Sequence, residues 1–295
     1  MEKVLKNKKI LVVGFNTIDI VLESDEKLTT GKKIYAKRMS EYCGGQAANC
    51  AYTLAKMGWN VSYIGKFGDD ENGMRSLASL KKNNIDVSKS KIIKDCKNHI
   101  GIIFVDELTG ERTIIMRKDE RLNMDDYNID YVDLKDIDLV YSDGNESKFT
   151  FHILKMAREM GKDIVLDIER VDENIRQALQ FVNALVAPGD IITRLADERN
   201  IESALRKLNK KIEIVIATLG DKGSVGISRD SKLVEVPAEV CQVKDTTGAG
   251  DAYHAGFISA MISGSNLKES MRFATSVARI KCEINGPRIN RNIVI

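Results

Sequence analysis

Six short apolar runs recur along the chain, KILVVG, VSYIG, DLVYS, DIVLD, NALVA and EIVIAT, and helical patterns fit between most of them. Each run is short and largely β-branched, which marks a strand buried within a sheet. Strands alternating with helices force a mostly parallel sheet with helices on both faces, so the chain belongs to the α/β class. The helical segments carry their own punctuation. QAANCAYTLAKMG places Ala47, Ala51, Leu54 and Ala55 on one face and stops at Gly58, where a C′ residue belongs. NLKESMRFATSVARIKCEING opens with Asn266 and Glu269 in capping-box spacing and closes near Gly286.

Two stretches break the alternation: KKIYAKRMSEY at 32–42 and HIGIIFVDELTGERTIIMRKD at 99–119. The second reads as a hairpin turning at Thr109-Gly110. Neither has a helix to cover it, so strands within about 15–42 and 97–119 are expected to form a small lid sheet over a site on the main domain. An antiparallel extension of the main sheet is the alternative. No Pro, Gly or Ser tract separates two units and no repeat is visible, so residues 1–295 read as one domain.

Composition narrows the function classes. Hydrophobic residues make up 43% and charged residues 30%, an ordinary globular balance. A formal net charge of +2 gives no bulk electrostatic case for nucleic acid or a membrane surface, and pairs such as Lys81-Lys82 read as solvated faces. Cys43, Cys50, Cys96, Cys241 and Cys282 are scattered with no C-x-x-C pair, which suits a reducing cytoplasm. The apolar run near the N-terminus is too short for a signal-peptide core, and no stretch reaches the ~20 apolar residues a spanning helix needs. His99, His152 and His254 show no metal-ligand spacing, and His254, just after Asp251, reads as packed or surface.

The chemistry gathers in two glycine loops. After the strand-like AEVCQV comes KDTTGAGD and then the helical AYHAGFISAMISG, which ends at Gly264. Gly248, Ala249 and Gly250 thus sit where a loop meets a helix start, and bare amides there attract an anion. A structural turn is the plainer alternative. Asp251 adds a carboxylate at the mouth of that loop, which a phosphate-binding site alone has no use for. A site that transfers a phosphoryl group to an alcohol does, since the carboxylate takes the hydroxyl's proton. The second loop, GGQAAN at 44–49, also leads into a helix; Gly44 and Gly45 make a tight turn, and Gln46 and Asn49 offer amides suited to sugar hydroxyls.

The two loops, about 200 residues apart, resemble the paired signatures of the ribokinase-like (PfkB) family of carbohydrate kinases, and the resemblance covers nearly the whole chain. It implies a three-layer sandwich with a β-sheet lid that also forms a homodimer. VVGFNTIDIV looks like the family's first strand carrying the substrate-binding Asp19, and VSYIGKFGDDENG like the strand and turn after the first signature. The resemblance further implies substrate contacts at Gly45, Gln46, Asn49 and Asp143, a base at Asp251 with the anion hole at Gly248 to Gly250, and ATP contacts at Thr218, Gly220 and Gly223 in TLGDKGSVGI. Mg²⁺ is the expected cofactor beside ATP, and Asp245 and Thr247 match the start of a K⁺ site. Arg117 either meets an anionic substrate group or is solvated.

Two departures shape the substrate expectation. Gln46 stands where ribokinases have lysine, which disfavours ribose. PGDII stands where many members carry the Asn-x-x-Glu that organises Mg²⁺, and Asp190 there is either a substitute or a surface turn residue. Ketohexokinase-like and sulfofructose-kinase-like branches share the second departure, and ARIKCEINGP looks like their C-terminal nucleotide segment. The expected activity is ATP-dependent phosphorylation of a primary hydroxyl of a ketose or ketose derivative. The alternatives are a nucleoside kinase and a non-catalytic sugar-binding regulator.

Overall fold

A computed structural model describes residues 8–109 and 112–293. Its strands, numbered in chain order, form three sheets. In the main sheet β1 (Lys9–Val13), β4 (Asn60–Ile64), β9 (Leu139–Ser142), β10 (Asp163–Asp167), β11 (Ala184–Pro188) and β12 (Ile214–Thr218) run parallel, and β13 (Ser224–Ile227) and β14 (Leu233–Val236) extend it antiparallel. The order across it is β14-β13-β12-β11-β10-β9-β1-β4. The lid sheet runs β3-β2-β7-β8, from β2 (Thr17–Ser24), β3 (Arg38–Gly44), β7 (Ile100–Asp106) and β8 (Arg112–Arg117). A third, two-stranded sheet pairs β5 (Lys66–Gly68) with β6 (Lys91–Ile93).

Side-chain alternation explains the three layers. Ile10 and Val12 of β1 point into a core shared with the helices Gln46–Lys56, Ala249–Ile262 and Leu267–Cys282, and Leu11 and Val13 into a second core under Ser147–Glu159 and Ile201–Asn209. Val165, Val186 and Ile216 repeat the first pattern, and Leu166, Leu185 and Val215 the second. The strands are apolar throughout because both faces are covered.

The expected capping devices are present: Gly58 has φ 88°, and Asn266 and Glu269 exchange both capping-box bonds. Four local expectations fail. VVGFNTIDIV is not one strand: Gly14, at φ 143°, breaks it, so β1 stays in the main sheet and Asp19 stands on lid strand β2. Only Arg38–Gly44 of the first lid stretch is strand, since the lysine-rich residues before it have no partner strand. AEVCQV is irregular: among the described residues no strand pairs beyond β14, and Val240 is 99% exposed. The Leu267–Cys282 helix closes four residues before Gly286. The β7–β8 hairpin forms as expected, with the Asp106 carboxylate accepting from the Leu108 and Thr109 amides; Gly110 and Glu111 lie outside the described residues.

The helix that carries Asp251 is fixed by close approach. At Gly256 an added Cβ would lie 2.8 Å from the Ala274 Cα of the neighbouring helix and 3.1 Å from Val277. Gly256→Ala should therefore lower Tm by about a few degrees, because overpacking costs about 1–3 kcal/mol against about 1 kcal/mol recovered from helix propensity. Gly250→Ala, whose Cβ would meet nothing within 4 Å, serves as control. A Gly256→Ala melting point at or above wild type in calorimetry would show that the two helices part easily.

Candidate active site

The parallel strands end on one edge of the main sheet, and both glycine loops lie there. In an open parallel sheet this edge is where ligands bind. The GGQAAN turn needs its second glycine: Gly45 has φ 92°, and a Cβ would come within 2.4 Å of the Asn16 backbone. Gly44 instead leaves room for Asp19, whose Oδ2 would lie 1.9 Å from a Cβ there. The Asp19 carboxylate is buried, which lifts its pKa; the Thr17 hydroxyl, donating at 2.6 Å, and the Arg288 charge pull it back.

Asp143 occupies the floor of this region. Its Oδ2 accepts from the Phe15 and Ala47 amides at 2.9 and 3.1 Å, and its Oδ1 from Asn145 N at 3.1 Å. It thereby pins the turn after β1 to the start of the first helix, and burial holds its pKa high. The Gln46 side-chain oxygen accepts from the Asn145 amide. Arg117 donates to the Lys97 and Asn98 carbonyls at 3.2 and 3.1 Å and reaches Asp119 at 3.4 Å, so its guanidinium braces the lid's base.

Asp251 lies in the first turn of the Ala249–Ile262 helix, 8% exposed. Desolvation pushes its pKa up to about 7, the range in which a carboxylate serves as a base near neutral pH. Asn49 Nδ2 donates to its Oδ2 at 2.8 Å and opposes that shift, and Arg288 Nε donates to Asn49 Oδ1 at 2.9 Å. The same guanidinium donates to Ser79 Oγ and the Gly44 carbonyl and lies 5.2 Å over the Tyr52 ring. Asn49, expected on a sugar hydroxyl, meets the Asp251 carboxylate in the ligand-free chain.

Below Asp251 the His254 ring meets acceptors at both nitrogens: the Gly250 carbonyl at 2.7 Å from Nδ1, and the Val186 carbonyl at 3.1 Å and Asp167 Oδ1 at 3.4 Å from Nε2. Tyr141 donates to the other Asp167 oxygen at 3.2 Å. Burial raises the Asp167 pKa and lowers that of His254, so desolvation favours the neutral form of each.

Gly248 caps the helix at φ 77°. The Ala249 amide donates to the Thr246 carbonyl at 3.1 Å, whereas those of Gly248 and Gly250 have no acceptor among the described residues. The two glycine amides are thus the ones left free to meet an anion, while Ala249 closes the turn. Thr218 ends β12, Gly220 has φ 60°, and Gly223 has φ 91° with no space for a Cβ beside the Val236 carbonyl at 2.1 Å. Tyr253 donates to Ser224 Oγ at 2.8 Å and ties this turn to the Asp251 helix. Asp190 is exposed and 3.6 Å from Arg194, and no cluster of three or more metal-ligating side chains forms among the described residues.

Sequence reasoning missed three cations. Arg288 follows directly on ARIKCEINGP, the segment the resemblance had marked. Arg112, on the lid, donates to the hydroxyls of both Thr246 and Thr247, the latter at 2.8 Å. Lys281 is buried beside Asp245. Lys281 stands within ARIKCEINGP itself, while Arg112 and Arg288 stand in no motif.

Comparison with known proteins agrees with this geometry. The chain is 25% identical to a nucleoside kinase of Methanothermobacter thermautotrophicus over 291 residues, which covers 97% of this chain and 93% of that one. It is 26% identical to a 5-dehydro-2-deoxygluconokinase of Clostridium perfringens, covering 91% and 83%. Its structure matches that of a putative ribokinase from Agrobacterium tumefaciens with a TM-score of 0.87 at 26% identity, covering 96% and 94%. The family model described as pfkB family carbohydrate kinase matches residues 7–292, and the chain belongs to that family.

Proposed function

We propose that this kinase transfers the γ-phosphoryl group of ATP to a primary hydroxyl of a ketose or ketose-derived substrate. The observation that carries the phosphoryl-transfer reading is Asp251: a buried carboxylate with its pKa pushed up to about 7, beside unpaired glycine amides. The amides of Gly248 and Gly250 hold phosphate charge, and Asp251 removes the proton of the attacking hydroxyl. Asn49 and Arg288 keep the carboxylate aimed. Asp19, opposite on the lid, receives substrate hydroxyls. A binding-only regulator has no use for a base poised near neutrality. Mg²⁺ has no built cage among the described side chains, which fits an ion that arrives on the nucleotide and keeps most of its waters. Such an ion neutralises charge on the β- and γ-phosphates.

The lid supports closure over the reacting groups. Arg112 reaches from β8 to Thr246 and Thr247, so the lid and the phosphate loop touch. Met39, Ile102 and Ile115 are exposed on the lid face opposite Asp19, which favours a lid-mediated homodimer; a monomeric mass by light scattering would overturn that. All five cysteines are unpaired, in keeping with a cytoplasmic home.

The ketose reading rests on Gln46, on the missing Asn-x-x-Glu and on the relative whose name denotes a keto sugar acid. The nucleoside kinase relative favours the rival. Measuring ADP release with ketoses, keto sugar acids, aldoses and nucleosides separates them: highest kcat/KM on a ketose or keto acid is expected, and preference for a nucleoside would replace the reading.

For the base, kcat/KM should fall about tenfold per pH unit below an apparent pKa near 7. Asp251→Asn should lower kcat by about 10²–10⁴ and abolish that limb. The linkage has a definite sign. Asp251 has a raised folded pKa, so its contribution to stability is full below the unfolded value and is lost as pH rises through about 7. The ligand-free Asn variant should therefore gain Tm over wild type at pH above 7 and show less gain in acid. Turnover above about a tenth of wild type in this variant would exclude the base role.

Arg112→Ala should lower kcat/KM by about ten- to a hundredfold, since charge-assisted hydrogen bonds to the phosphate loop are lost. Its Tm should stay close to wild type because the side chain is exposed. Unchanged kinetics would mean that the lid contact plays no part in turnover.

A further inference from the structure

Lys281 presents a physical problem. It is 0% exposed, at the end of the Leu267–Cys282 helix, and lysine is almost never fully buried without a partner. No carboxylate lies within ion-pair distance of it among the described residues. Its ammonium donates instead to two backbone carbonyls, Asp245 O at 2.7 Å and Ile284 O at 3.1 Å. One belongs to the phosphate loop and the other to the turn that follows the helix. Burial drives its pKa down, while the nearby Asp245 charge raises it.

Carbonyl oxygens converging on one point are the usual cradle of a bare K⁺ ion. Here that point is taken. The two residues expected to begin a K⁺ site are also committed: the Asp245 carboxylate accepts from Thr247 N at 2.7 Å and Gly286 N at 2.8 Å, and Thr247 Oγ accepts from Arg112. The residues present do not fit a K⁺ ion. We propose that the Lys281 ammonium is the built-in substitute for a monovalent cation behind the anion hole, so that this kinase works without K⁺.

The geometry gives the ammonium a positioning task. In a planar trans peptide the carbonyl and the following N–H point opposite ways. Holding the Asp245 carbonyl therefore fixes the orientation of the Thr246 N–H and, with it, the start of the turn that presents Gly248 and Gly250. A full positive charge behind that turn also favours a phosphate in front of it. The helix end adds to the fit, since its last carbonyls are the negative pole.

The proposal rests on the kinase reading for its activity arm, and a stability arm stands apart from it. Wild-type turnover should change by less than about twofold when K⁺ is replaced by tetramethylammonium at equal ionic strength. Lys281→Met, neutral and of similar length, should lose at least about tenfold in kcat/KM. Lys281→Ala empties the cradle, and its activity should be restored in part by K⁺ or NH₄⁺ but not by tetramethylammonium. Without substrates, the Tm of Lys281→Ala should rise with K⁺ or NH₄⁺, while wild-type Tm should respond alike to all three salts. A wild-type enzyme that requires K⁺, or a K⁺-specific rise in its Tm, would overturn the proposal. So would a Lys281→Met enzyme with wild-type kinetics. If Lys281→Ala does not fold, the wild-type salt dependence and the Met variant still decide.

Discussion

The site depends on a chain of three side chains, Arg288 to Asn49 to Asp251, that joins parts of the sequence far apart. A buried carboxylate is costly unless something holds it, and its neighbours here include further acids, Asp167 and Glu169. Asn49 satisfies one oxygen, and Arg288 fixes which way the Asn49 amide faces, because a guanidinium can only donate and so must meet its oxygen. The relay engages one carboxylate oxygen and leaves the second without a hydrogen-bond partner among the described residues. It also locks the first helix, the Asp251 helix and the C-terminal segment together at the edge of the sheet, so Asp251 and the GGQAAN loop cannot drift independently.

Much of the fold was legible because its cause is local. A strand covered on both faces must be apolar throughout, and each of the six runs read from sequence is a strand of the main sheet. Caps were legible for the same reason: Gly58 and the Asn266–Glu269 pair act within one turn of their helices. The errors arose where a distant neighbour decides. Nothing within VVGFNTIDIV says that Gly14 turns the chain out of one sheet and into another; the cause lies around Asp143, which binds the turn from 128 residues away. AEVCQV has strand-like composition, yet among the described residues no strand pairs beyond β14.

The same division holds in the site. The glycine loops announce themselves because left-handed or crowded backbone demands glycine at Gly45 and Gly248, and Asp251 follows in the helix that they start. The cations that serve them do not. Arg112 follows residues typical of a hairpin tip, Lys281 sits among helix-end charges of the sort that usually face water, and Arg288 stands in a coil. A basic residue in such company is normally solvated, and only the folded chain shows which ones turn inward. Asn49 is the intermediate case: its place beside the site was visible from the loop, while its partner was not.

Charge regulation connects these observations. ATP brings several negative charges to a region that already holds Asp143, Asp167 and Asp251, and like charges at such distances oppose one another. Burial raises the pKa of all three, so the ligand-free site resists carrying its full formal charge. The His254 ring lies 3.4 Å from Asp167 and can offset its charge, while Arg112 meets the loop's threonine hydroxyls and Lys281 holds the Asp245 carbonyl from behind. The acids are thus sorted by what meets them. Asp143 spends its oxygens on backbone amides and shapes the turn, Asp167 is paired with an imidazole, and Asp251 has the near-neutral pKa and the open neighbour that proton removal requires. One residue type performs three tasks because its surroundings set a different cost for its charge each time.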